Sequence, residues 1–105
     1  MDSRQLYKAA EYLSSIISWD LEWIHFGTGQ NVKFELITKL IEDFLIDDSL
    51  HLVLKRGNSG SHSKNEVYQI LPALLGREEF QLWNNSMNRV IQFDAIGVLN
   101  LGKKE

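Results

Sequence analysis

Leu6, Ala9, Ala10, Leu13, Ile16 and Ile17 recur at the three-and-four spacing of one helical face, and Asp2 or Ser3 stands where an N-cap is needed. This spacing predicts a first helix. Over residues 19–26 the period shortens to two, with Leu21, Trp23 and His25 on one side and Glu22, Ile24 and Phe26 on the other, as in a strand. Residues 27–31 form a turn. Its Asn31 can cap a second helix that points Phe34, Ile37, Leu40, Ile41, Phe44 and Leu45 inward and ends near Asp47. Leu50, Leu52 and Leu54 alternate with His51, Val53 and Lys55, which predicts a second strand with an apolar face.

After a stretch rich in Gly and Ser, Ser63 and Glu66 have the spacing of a capping box. The helix they open carries Val67, Ile70, Leu71, Leu74 and Leu75 on its apolar stripe. Gly76 suits a left-handed C-terminal turn, and Pro72, inside the helix, should kink the axis by removing a bond to the carbonyl of Tyr68. Residues 80–83 and 89–93 read as a hairpin around the loop 84–88. Ile96, Val98, Leu99 and Leu101 extend the apolar pattern past a bend at Gly97. The order predicts an α+β domain spanning residues 1–105, in which three helices pack on one face of a four- to five-stranded, mostly antiparallel sheet. The opposite face is then uncovered.

Composition narrows the function classes. With 105 residues, 44% of them hydrophobic and 24% charged, the chain is sized and balanced for one globular domain. Glu42, Asp43, Asp47 and Asp48 interrupt the most apolar stretch well short of the roughly 20 residues a membrane span needs. The start, Met1-Asp2-Ser3-Arg4, lacks the basic-then-apolar order of a signal peptide. The absence of cysteine removes disulfides and thiolate metal sites, and the cytoplasm is the expected compartment. A net charge of -3 disfavours direct nucleic-acid binding and fits a cationic partner better.

Three groups of residues are candidate sites. Glu42, Asp43, Asp47 and Asp48 crowd the negative end of a helix, where they disfavour stability unless Lys39 or a basic partner compensates. Trp23 and Trp83 lie opposite in parity to Ile24 and Leu82, so both are expected on the uncovered sheet face as anchors for a protein partner. Arg56, Asn58, Ser61, His62 and Lys64 lie in a loop before a helix N-terminus, where free N–H groups can hold an anion. That loop lacks the Gly-Lys-Ser or Gly-Lys-Thr of a Walker motif. His25, His51 and His62, with Lys55 or Arg56, are the best available set for hydrolase or nuclease chemistry. They share no metal-ligand spacing, and neither a metal nor a cofactor is expected.

The segment Phe80-Gln81-Leu82-Trp83 and the run Val90-Ile91-Gln92-Phe93-Asp94-Ala95-Ile96-Gly97-Val98 resemble the closing strands of small immunity proteins from bacterial toxin–immunity systems, including contact-dependent inhibition. The resemblance covers the C-terminal third. It implies a small cytoplasmic protein, not an enzyme, that neutralises a cognate toxin by direct binding. A basic toxin, with a nuclease as one candidate class, is the expected partner, met by the carboxylates at 42–48 and the aromatic sheet face. A histidine-based hydrolase and an anion- or nucleotide-binding module are the alternatives.

Overall fold

A computed structural model describes residues 2–54 and 57–104. Three helices, α1 (Ser3–Ser14), α2 (Phe34–Phe44) and α3 (Lys64–Leu74), accompany seven strands. These are β1 (Ser18–Trp19), β2 (Ile24–His25), β3 (Ser49–Val53), β4 (Gly60–Ser63), β5 (Phe80–Asn84), β6 (Arg89–Asp94) and β7 (Val98–Lys103). The strands form one antiparallel sheet in the order β1-β7-β6-β5-β3-β4, and β2 pairs with the same edge of β7 as β1. The domain is thus α+β. Its sheet is larger than the expected four or five strands because residues 19–26 supply two short strands and the Gly-Ser stretch supplies β4.

Local chemistry explains the helix ends. The Asp2 carboxylate accepts from Gln5 N at 2.8 Å while the Gln5 side chain accepts from Asp2 N at 3.1 Å, closing a capping box on α1. Ser63 and Glu66 form the corresponding box on α3. Gly76 adopts φ +73° just past α3 and packs against Thr28, so a side chain there is opposed both by backbone conformation and by space. Pro72 is exposed, and α3 continues through it to Leu74. Asn31 ends a short 3-10 turn, Gly29–Asn31, rather than capping α2 directly; Lys33 occupies that position.

The sheet buries both faces. Leu50, Leu52, Phe80, Leu82, Ile91, Phe93 and Leu99 point to one side, where they meet Ile37 and Ile41 of α2 and Val67, Leu71 and Leu74 of α3. The intervening Val53, Trp83 and Val90 point to the other side and pack with Leu6 and Ala10 of α1, Ile17 and Met87. The expectation that all three helices share one face therefore fails for α1. An amphipathic stripe specifies that a helix is covered, but not which layer covers it. The choice follows from the second face of the sheet, whose Trp83 and Val90 gain most by leaving water. No helix among the described residues is long and apolar enough to cross a membrane.

Candidate functional site

The tryptophans have three different fates. Trp83 is fully buried beneath α1, and its indole N–H donates to Gln81 Oε1 at 2.9 Å. Its expected role as a surface anchor is corrected: the parity argument placed it on the right face, but α1 covers that face. Trp19 is half-buried and donates from Nε1 to the Ser14 carbonyl at 3.2 Å, fastening the end of α1 to the sheet edge. It lies over Gly102, where an added Cβ would approach Ile17 Cγ2 at 2.6 Å and Trp19 Cε3 at 2.9 Å. Trp23 remains 49% exposed.

The surroundings of Trp23 follow from register. Trp19 pairs with Gly102 and Ile24 with Leu99, so five steps along the first chain face three along β7. Two residues are surplus, and the segment 20–23 must bulge away from its partner. Asp20 N still donates to the Leu101 carbonyl at 2.8 Å, and beyond it Asp20, Leu21, Glu22 and Trp23 are all exposed, Leu21 at 99%. Two carboxylates thus alternate with two large apolar side chains on a protruding edge. The sequence concealed this because side-chain alternation continues through residues whose backbone pairing does not.

The acidic residues at 42–48 are partly committed within the domain. Glu42 accepts from the Tyr68 hydroxyl and from Lys64 Nζ, the latter at 3.4 Å. The Tyr68 hydrogen bond holds the Glu42 carboxyl below its ordinary range, outweighing desolvation, and the charge and hydrogen bond of Lys64 add smaller contributions in the same direction as Tyr68. Burial, then the Glu42 contact, raises the Tyr68 phenol. Asp47 Oδ2 accepts from Asn85 N at 2.8 Å, whereas Asp43 and Asp48 are exposed. Within the domain, Arg89 compensates the negative helix end: its Nη1 donates to the Phe44 carbonyl at 3.1 Å, and its guanidinium lies 5.4 Å from the Phe44 ring centroid.

The Gly-Ser stretch is a hairpin arm rather than a free loop leading into α3. Ser61 Oγ lies 2.7 Å from His51 Nδ1, His62 Nδ1 lies 3.5 Å from Glu66 Oε2, and Asn58 is exposed. Lys64 turns to Glu42. At the N-terminus of α3 the Glu66 carboxylate takes the position expected for a bound anion, accepting from Ser63 N at 3.3 Å and Ser63 Oγ at 3.1 Å. These bonds, the backbone one foremost, lower the Glu66 pKa. Lys55 and Arg56 lie outside the described residues.

The histidines do not converge. His51 pairs across β3 and β4 with Ser61, and His62 with Leu50 one step away, so the two imidazoles leave opposite faces of the sheet. His25 sits on β2, beyond β7 at the far edge. No cluster of three or more His, Cys, Asp or Glu among the described residues has the arrangement to hold a metal ion.

A groove of about 280 Å³ opens between α1 and the sheet, lined by Tyr7, Ala10, Glu11 and Ser14 from the helix side and by Val53, Glu79, Gln81 and Gln92 among others from the sheet side. The sequence signals this site only through Gln81 and Gln92, polar residues at positions of β5 and β6 that neighbours of the same parity, Trp83 and Val90, fill with apolar groups. No family model, curated protein or solved structure matches the chain.

Proposed function

We propose that this chain acts by binding a basic protein and blocking its activity, in the manner of an immunity protein that neutralises a cognate toxin. The observation that carries the reading is the bulged edge at 20–23, where exposed Leu21 and Trp23 alternate with the carboxylates of Asp20 and Glu22. A half-exposed indole beside a fully exposed isobutyl group suits insertion into a partner's pocket, and the neighbouring carboxylates suit a rim of lysine and arginine. The net charge of -3 favours the same class of partner. Asp43 and Asp48 add exposed negative charge that supports steering from a distance.

The test is co-expression with the protein encoded directly upstream, scored by co-elution and by rescue of growth. Leu21→Ser combined with Trp23→Ala should abolish both while leaving the fold intact. Retained binding and protection in that double variant would remove the edge from the interface. A parent chain that neither binds nor protects sinks the immunity reading as a whole.

A further inference from the structure

The groove beneath α1 has a floor whose hydrogen-bond polarity is fixed by its neighbours. The Trp83 indole can only donate, so the Gln81 atom it meets at 2.9 Å must be the amide oxygen. The Gln81 amide nitrogen then points the other way, donating to Ser14 Oγ at 3.1 Å and to Gln92 Oε1 at 2.7 Å. Gln92 Nε2 is turned to the Phe93 carbonyl at 3.3 Å. The chain of bonds ends on Gln92 Oε1, which retains a second lone pair on the groove side of the sheet. Two carboxylates, Glu11 on α1 and Glu79 just before β5, line the same groove. The ring of Tyr7 and the side chains of Ala10 and Val53 supply apolar wall.

We infer that this groove is a binding site for a guanidinium or primary ammonium head group. Both charged groups in its lining are carboxylates, Gln92 Oε1 adds a further acceptor, and a cation rich in N–H donors satisfies them together. A phenol ring in the wall offers an aromatic surface to the same cation. The volume lies close to the lower limit of small-ligand sites, about 300 Å³, and matches one side-chain-sized group rather than a nucleotide. The floor is preorganised, because Trp83 is immobilised in the core and passes its orientation through Gln81 to Gln92. The site is separate from the 20–23 edge and stands whether or not that edge binds a protein.

The experiment is an amide NMR titration of the full chain with N-acetyl-arginine amide and, in parallel, with N-acetyl-citrulline amide, its neutral isostere. Saturable shifts at Tyr7, Ser14, Gln81 and Gln92 are expected with the arginine compound and not with the citrulline compound. Glu11→Gln combined with Glu79→Gln, both at exposed positions, should weaken binding about fivefold, as the loss of two partly exposed ion pairs implies. Gln92→Leu should weaken it further while circular dichroism stays unchanged. Spermidine in a third arm separates a free polyamine from an arginine side chain as the better occupant. Absence of shifts with every cation, equal shifts with citrulline, or unchanged affinity in the double glutamine variant each overturns the assignment.

Discussion

The two faces of the sheet are built on different plans. Under α2 and α3 the inward positions of the five strands β3, β5, β6, β7 and the neighbouring β2 are almost wholly apolar, and aromatic rings stack, Phe80 on Phe93 at 4.5 Å and Phe26 edge-on to Phe93 at 5.8 Å. Under α1 the apolar patch of Val53, Trp83 and Val90 is smaller, and Gln81, Gln92 and Asn100 form a polar row across β5, β6 and β7. Two helices seal the first face. A single helix of 12 residues leaves the second partly open, and the groove lies where its cover runs out. The first face holds the fold together, and the second combines packing with chemistry.

Substitutions break this comparison in order of expected effect. Phe93→Ala, at the aromatic centre of the first face, should cost about 4 kcal/mol in denaturant unfolding, which is enough to threaten the fold of a domain this small. Gly102→Val acts on the second face alone, displacing Trp19 and Ile17, and should cost about 2 kcal/mol through overpacking. In hydrogen exchange its effect should concentrate in α1; uniform loss of protection would show that the two faces are one cooperative unit. Trp83→Phe keeps a buried ring but deletes the donor that orients Gln81, for a cost of about 1.5 kcal/mol. It should also release the Gln92 amide, visible as altered side-chain NH2 resonances.

Acid should weaken contacts on the first face's helices selectively. Glu42 and Glu66 have folded-state pKa values below their ordinary 4.5, so the stability they contribute is present above that value and is lost as pH falls through the lower folded values. Glu66→Gln should flatten the acid limb of a thermal stability profile taken below about pH 4.5, and an unaltered limb would show that the α3 cap carries no linked proton. The smallest stability effect belongs to Trp23→Ala, within about 0.5 kcal/mol, because half of that ring is already in water.

The caps of α1 and α3 and the turn at Gly76 were readable in the sequence because each is settled within a few residues. The hairpin of β5 and β6 was readable for the same reason: its two alternating runs are separated only by the loop at 84–88. What the sequence withheld were matters decided by distant partners. The face that α1 chose depends on Val53, Trp83 and Val90 in three separate strands, and the bulge at 20–23 depends on the register of β7, some 80 residues further on. The internal partners at the acidic end of α2, Tyr68 and Lys64 on Glu42 and Arg89 on the Phe44 carbonyl, likewise arrive from elsewhere in the chain.

The broken edge beside β7 also bears on self-association. An uninterrupted outer strand exposes a straight row of backbone donors and acceptors that another chain can extend into a continuous sheet. Here β1 and β2 are two residues each, set apart by a four-residue excursion carrying two negative charges. A second molecule approaching along that edge meets like charge and a kinked backbone before it can form a ladder. The irregularity that presents Trp23 to solvent therefore also disfavours edge-to-edge pairing along the same side of the sheet.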